Sequence, residues 1–449
     1  MNLWFWGSLC VGVLIMLFIS IKSWKHPTSL LYISLAFLVL GEVGRISLPF
    51  FGQELLILDL LVLFSFFLYI FSAWWRRKNI VLGKLFIPFF LFVTVAFLSL
   101  LFQIHHFENT ELFISFSYLV RFIAYFGLYI IARNETIKPY CLFLFLLIIA
   151  LALAALGFIQ FVFYPDFSSM ETFGWDPHIG RLLSTWFDPN FLGGFFSFII
   201  LLILNVLFDR KQNKKEKLFL GLTAFILFVA LVLTFSRSAY LMFFVGLVLT
   251  GLRAPRVLIV VILFFIVSIF LVPRAQERVQ EMVGSMFALA INSYDYGMDE
   301  TAKLRVASWE ESFSIFYDHP LLGIGYDTMR YEKLNRGDIT DPTIHSGSGA
   351  DSSLLTILVT TGIIGFLFFL WMIVEIFHIA WKITKQQKVS PFIKNFSAGF
   401  VIAFFSLLMH SFFVNSLLLP FFLVLILITI GIEEQELALI EKKLSSTSS

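Results

Sequence analysis

The chain is a succession of apolar runs separated by short polar breaks. Runs of roughly 20 residues, each long enough to cross a hydrocarbon core about 30 Å thick, recur from end to end. They lie at 3–21, 29–48, 55–75, 85–104, 112–132, 141–163, 191–208, 218–234, 238–252, 257–272, 354–377, 396–414 and 417–432. In lipid each run satisfies its own backbone hydrogen bonds, so it is helical. Strands of a membrane barrel would alternate polar and apolar residues, and these runs do not. The pattern predicts an all-α integral membrane protein, a bundle of about 12 or 13 transmembrane helices with one large, partly helical external loop. Gly41, Glu42, Gly44 and Arg45 interrupt the run at 29–48. The expected organisation is N-terminal membrane helices over 1–164, an external loop over 165–190 and central helices over 191–272. A large external loop over 273–353, C-terminal helices over 354–432 and a cytoplasmic tail over 433–449 complete it.

Composition agrees: 59% of residues are hydrophobic and 14% charged, against about 25% charged in a soluble domain. The net charge of +2 matters less than its distribution. Arg76, Arg77, Lys78 and Lys84 form one basic loop, and 209–217 carries five basic and two acidic residues. Arg253 and Arg256 flank a third turn, and Lys382, Lys385, Lys388 and Lys394 occupy a fourth. Counting helices puts all four on one face, the cytoplasmic one by the positive-inside rule. Met1–Ser20 lacks a basic n-region and reads as a first membrane helix rather than a cleaved leader. Cys10 and Cys141, both in apolar runs, suggest neither a disulfide framework nor a thiolate metal site.

The opposite face is acidic and longer. Residues 273–353 hold 13 acidic and 7 basic side chains and contain two helical patterns. In 274–292, Val279, Met282, Val283, Met286, Phe287 and Ala290 share one face, suited to the membrane interface. In 301–317, Arg305, Trp309, Phe313 and Phe316 form a second stripe. Only Ser445–Ser449 is low-complexity, and it reads as a disordered tail.

No phosphate-binding GxxxxGK[ST] loop, HExxH or Cys/His metal spacing occurs, and no Asp-x-Asp pair lies on a loop. Neither cofactor nor metal is expected. Three stretches stand out. Arg181-Leu-Leu-Ser-Thr-Trp-Phe-Asp-Pro-Asn190 leads into a glycine-containing helix, with Asn190 a candidate N-cap; a loop-and-cap role accounts for Pro189 and Asn190 better than for Arg181. Thr234-Phe-Ser-Arg237-Ser breaks two apolar runs. Its arginine either snorkels to the headgroups or holds an anion, since guanidinium binds phosphate oxygens bidentately. The third stretch carries Arg305-x-x-x-Trp309, then His319-Pro-Leu-Leu-Gly323-Ile-Gly325. It continues through His345-Ser-Gly-Ser-Gly-Ala-Asp351 to a helix with Gly362 and Gly365. Arg305 and Trp309, four apart, share a helix face. Arg121, mid-span, costs roughly 2.5–3.5 kcal/mol on insertion scales and should face the bundle interior, with Asp59, Glu42 and Arg45 as candidate partners in a structural or functional pair.

Taken in order, these motifs resemble the O-antigen ligase and polymerase family of bacterial membrane proteins over about 181–430. The resemblance implies a metal- and nucleotide-independent glycosyltransferase in the bacterial inner membrane, its site facing the periplasm or exterior. It would move a glycan en bloc from a polyprenyl diphosphate carrier to a glycan or lipid acceptor hydroxyl during cell-envelope polysaccharide synthesis. It further implies that Arg237 and Arg305 hold the diphosphate, that His345 activates the acceptor, and that Arg181, Asn190 and Trp309 contact substrate; Arg121, from its mid-span position rather than the resemblance, is a further expected substrate contact. A flippase that moves lipid-linked oligosaccharide without chemistry is the alternative. It would favour internal repeats and broken helices in matching halves, and neither is visible in the sequence. Nucleic acid is not an expected partner.

Overall fold

The structure is a computed structural model. It describes residues 19–48, 53–209, 212–253, 259, 262, 263, 266, 271–290, 298–339, 349–387 and 389–447. Most of the predicted runs at 257–272 and 3–21, and His345, lie outside the described residues.

Helices dominate, as the apolar runs require. In chain order they are α1 (Thr28–Ala36), α2 (Ile57–Trp75), α3 (Phe86–Phe102), α4 (Asn109–Asn134), α5 (Pro139–Phe163), α6 (Pro189–Val206) and α7 (Lys214–Leu233). There follow α8 (Arg237–Arg253), α9 (Pro273–Ala290), α10 (Glu300–Asp318), α11 (Met329–Arg336), α12 (Ser353–Lys385), α13 (Pro391–His410) and α14 (Pro420–Thr447). Seven of them are long and apolar enough to cross a membrane: α2, α4, α5, α6, α7, α12 and α13. This is an all-α multi-pass membrane protein.

Three expectations are corrected. The run at 29–48 is no single span. It stops at Ala36, continues as 3-10 turns to Gly44, and then forms β1 (Arg45–Leu48), paired antiparallel with β2 (Gln53–Leu56). The interrupting glycines are the cause: Gly41 sits at φ +53, and a Cβ there would lie 2.4 Å from the Thr185 carbonyl oxygen. The N-cap of α6 is Asp188 rather than Asn190; its Oδ1 accepts from the Asn190 and Phe191 amides at 2.6 and 3.1 Å, with Pro189 in the first turn. At the C-terminus α14 continues past 432 to Thr447, so Ser445 and Ser446 are helical.

Packing follows the rule for helices in lipid, where small residues let backbones approach. A Cβ on Gly193 of α6 would lie 2.7 Å from Ala239 of α8. Asn205 of α6 donates to Thr250 of α8 at 3.1 Å, an interhelical bond that stands in for absent water. Arg253 reaches Asn205 and Asn395. Lys78 pairs with Glu135, and the Lys84 amide donates to Glu434 at 3.0 Å. The basic loops therefore converge at one end of the bundle.

At the other end, α12 is broken. Gly362 sits at φ 64, ψ −174, a region essentially reserved for glycine. The break frees backbone groups that would otherwise bond within the helix, and the loop after α10 takes them. Ile324 and Gly325 amides donate to the Val359 and Thr360 carbonyls at 3.1 Å each, and the Ile363 amide donates to Pro320 at 2.9 Å. The His-Pro-Leu-Leu-Gly-Ile-Gly element thus clamps a broken membrane helix and fixes α10 above it.

Candidate active site

The helix ends opposite the basic loops surround a cavity of about 680 Å³. Six arginines line it: Arg45, Arg121, Arg181, Arg237, Arg278 and Arg305. Four are committed to carboxylates. Arg45 pairs with Glu42, Arg121 with Asp59 (3.2 Å) and Arg278 with Glu281 (2.8 Å). Arg237 forms a two-pronged pair with Asp299, one prong 2.8 Å. Two arginines stand apart. Among the described residues Arg181 donates only to the Thr234 and Phe235 carbonyls, at 2.9 and 3.2 Å, and Arg305 makes no hydrogen bond or ion pair.

The local sequence explains how these side chains are held. Asp299 caps α10 by accepting from the Thr301 and Ala302 amides (3.1 and 3.3 Å), and Ser285 of α9 donates to it at 2.8 Å. One carboxylate thus joins α8, α9 and α10 beneath Arg237. Burial works against its charge, but the bonds from Arg237 and Ser285 prevail and hold it at about 2. Below the Ser236-Arg237 turn runs a buried polar chain: Ser236 to Asn190 (2.7 Å), Ser236 to Ser238 (3.2 Å), Ser238 to His410 (3.3 Å) and His410 to Ser416 (3.2 Å). Asn190 therefore both lines the cavity and anchors the turn. Among the described residues six non-glycine residues have positive φ, and four of these, Phe187, Phe235, Asp327 and Asp351, line the cavity. Strained backbone clusters where function is stored.

The electrostatics favour an anion. Burial lowers Arg181 to about 10; Asp188 opposes this, and Arg278 and Arg274 add to it. Burial also lowers Arg305, with Arg237 adding and Asp351 opposing. Both guanidinium groups remain charged at neutral pH, crowded and incompletely neutralised, a state that phosphate oxygens would relieve. Burial raises Asp176 and Asp351 above the usual carboxylate range. Burial, then Arg181 and Arg278, push His178 down to about 3, which leaves a neutral imidazole on the cavity wall.

Of the residues singled out in the sequence, Arg121, Arg181, Asn190, Arg237 and Arg305 come together around this one cavity. Trp309 does not line it. It borders an adjacent apolar pocket of about 70 Å³ shared with Arg237 and Arg305, its ring 5.9 Å from that of Phe413. His345 lies outside the described residues, and the chain next described after it brings Asp351 to the cavity wall. Sequence reasoning missed His178, Arg278, Asp327 and Asp351. Asp327 carried a signal, since an aspartate after Gly-x-Gly-Tyr suits a left-handed turn. Among the described residues no group of three His, Cys, Asp or Glu is placed to hold a metal ion.

Fold and site together define a class: a multi-pass membrane protein with an arginine-lined pocket at one end of its bundle. Residues 222–370, about a third of the chain, match a family described as O-antigen ligase. The match supports the O-antigen ligase and polymerase family for this chain, and with it glycan transfer in polysaccharide biosynthesis. It takes in Arg237, Arg305 and His345 and leaves out the Arg181–Asn190 loop. No curated protein matches the chain.

Proposed function

We propose that the protein transfers a glycan en bloc from a polyprenyl diphosphate carrier to an acceptor hydroxyl, at the membrane face away from the cytoplasm. The observation that carries this reading is a pair of arginines, Arg181 and Arg305, that make no ion pair with a carboxylate among the described residues, in a cavity at the end of a membrane bundle. The donor diphosphate would lie between them, with Arg237 oriented by Asp299 beside it. As the anomeric C–O bond breaks, charge builds on the leaving diphosphate, and prearranged guanidinium groups stabilise it. The acceptor oxygen attacks the anomeric carbon as it loses its proton to a neutral base, the role assigned to His345. Direct displacement inverts the anomeric configuration. The chemistry asks nothing of a nucleotide or metal, since the carrier brings its own leaving group.

The placement supports the inner membrane of a bacterium, with the cavity opening to the periplasm or exterior opposite the basic loops. Arg121 and Asn190 would contact substrate within the cavity, and Trp309 from the adjoining apolar pocket. The broken helix α12 is one observation that favours the flippase alternative, because transporters use such breaks.

The test is reconstitution in lipid with a polyprenyl-diphosphate glycan, wild type against His345→Ala, with and without acceptors. Wild type should release polyprenyl diphosphate, and His345→Ala should fall by about 10²–10⁴-fold. Lengthening without added acceptor identifies a polymerase, and addition of one block to a separate acceptor identifies a ligase. Donor that crosses the bilayer intact would overturn the transferase reading in favour of the flippase.

A further inference from the structure

The turn between α7 and α8 does more than carry Arg237. Its Thr234 and Phe235 carbonyls hold Arg181 at 2.9 and 3.2 Å, and its Ser236 hydroxyl donates to Asn190 Oδ1 at 2.7 Å. Residues 234–237 thus supply or anchor three side chains of the cavity wall: Arg181, Asn190 and Arg237. The two arginines are cationic. Asn190 is neutral, and the end of its amide that faces the cavity decides whether it attracts or repels an anion there.

The supply of protons behind Asn190 fixes that end. A serine hydroxyl has one proton to give. That of Ser236 goes to Asn190, so across the 3.2 Å contact between the two serines Ser238 donates to Ser236. The Ala239 amide also donates to Ser236, at 3.3 Å. With its own proton spent, Ser238 accepts from His410 Nε2 at 3.3 Å. A neutral imidazole carries a single N–H, so Nδ1 is bare and accepts from Ser416 at 3.2 Å. Every link from Ser416 to Asn190 then points the same way. All four members behind Asn190 are buried, with Ser236, His410 and Ser416 completely so, which raises the cost of leaving a link unmade. Gly194 of α6 makes room for the imidazole: a Cβ there would lie 3.3 Å from Cε1 and 3.4 Å from Nε2.

We infer that His410 is a positioning residue: its Nε2–H sets the direction of the Ser238–Ser236 chain, which holds Asn190 by its oxygen and turns the amide N–H groups into the cavity as donors to a phosphate oxygen. The inference rests on the glycan-transferase reading and deepens it, adding a neutral donor beside Arg181 and Arg237 at the diphosphate. His410 is completely buried and is not part of the cavity wall, so it acts only through Asn190. With the other tautomer the chain would run in reverse, and Asn190 would present a carbonyl oxygen to the same anion.

The experiment has two arms, and the first needs no substrate. Wild type, isotope-labelled in the histidine ring nitrogens and reconstituted in lipid, is read by NMR, with the His410 signals assigned by their loss in His410→Gln. Nε2 should carry the proton and Nδ1 none; the reverse overturns the inference. The second arm measures affinity for bare polyprenyl diphosphate in nanodiscs, with thermal unfolding beside it. His410→Leu removes the Nε2 donor and should weaken binding about tenfold. His410→Gln offers an amide N–H in its place and should recover most of that loss. Equal losses in the two variants would mean that packing rather than the donor sets the affinity, and would overturn the inference. Lowered midpoints with wild-type carrier affinity in both would reduce His410 to a structural role and leave the transferase reading standing. A wild type with the expected tautomer that binds no carrier overturns the diphosphate role of Asn190 together with the reading it rests on. The tautomer arm decides the matter even where His410→Leu fails to fold.

Discussion

Gly323 and Gly362 lie backbone against backbone: a Cβ on Gly323 would fall 2.6 Å from the Gly362 nitrogen and 2.4 Å from the Val359 carbonyl oxygen. A Cβ on Gly362 would in turn fall 2.2 Å from the Leu321 carbonyl oxygen. The contact is where the extramembrane helix α10, carrying Arg305, is locked to the broken membrane helix α12. Neither neighbour can yield, because each is main chain.

Gly362→Ala should therefore destabilise the protein. The backbone conformation alone costs on the order of 1–3 kcal/mol for a non-glycine residue, and the overlap with Leu321 adds to it. Thermal unfolding in lipid should show a lowered midpoint, with loss of donor binding as α10 shifts. Gly221, whose Cβ would meet nothing within 4 Å, is the control: Gly221→Ala should leave both unchanged. Equal behaviour of the two variants would refute the clamp.

The membrane helices were legible because lipid imposes one simple rule, an apolar run of spanning length. The Arg181, Arg237 and Arg305 motifs were legible because charges bordering apolar runs need a reason. What could not be read was which charges neutralise each other. Arg237 and Asp299, 62 positions apart, give no such sign, whereas Asp59 was already one of three candidate partners for Arg121 and is the one that pairs with it. Among the described residues, only the fold leaves Arg181 and Arg305 without a carboxylate ion pair. The break in α12 was hidden for a related reason. Gly362 sits in an apolar run like any membrane glycine, and its partner strand of backbone lies in a loop some forty residues earlier. The run at 29–48 failed because the glycines that looked like flaws in a helix are where the chain turns into a hairpin.

A pH dependence follows from Asp327. Burial raises its carboxyl to about 6, against the opposing charges of Arg330 and Arg121. The other titratable groups lining the small pocket beside Asp327 are the Glu42–Arg45 pair, Asp59, Tyr118 and Tyr326. A raised carboxyl binds its proton more tightly folded than unfolded, so its contribution favours folding at low pH. That contribution is lost as pH rises from about 4, the unfolded value, through about 6. Stability should therefore fall across this window. Asp327→Asn should flatten the stability change. Unfolding midpoints against pH for wild type and variant check the direction, and a variant profile that falls as steeply as wild type would count against Asp327 as the group responsible.

Trp186 tests the support of the Arg181 loop. It is fully buried, stacks on Phe421 with centroids 4.4 Å apart, and donates its indole N–H to the Leu38 carbonyl at 2.9 Å. Trp186→Ala should cost about 3–5 kcal/mol. Trp186→Phe keeps the stack and loses the hydrogen bond, leaving the Leu38 acceptor unmet at about 1–3 kcal/mol. Unfolding midpoints should rank wild type, Phe, then Ala, and a phenylalanine variant as weak as alanine would show that stacking contributes little.

Arg305 and Arg237 are both cavity arginines, yet their substitutions should read differently. Arg237→Ala strands Asp299, which also caps α10 and binds Ser285, so stability and donor binding should fall together. Arg305 has no partner to strand among the described residues. Arg305→Ala should leave the unfolding midpoint level or raised, because it removes a buried, crowded charge. Its cost should appear in the affinity for bare polyprenyl diphosphate, by roughly 10–100-fold for a lost charge-assisted hydrogen bond. Arg305→Lys should recover part of that affinity, as a point charge without the bidentate fork. Arg305→Ala with undiminished carrier affinity would remove this residue from the diphosphate site and leave Arg181 as the cavity arginine with no carboxylate ion pair among the described residues.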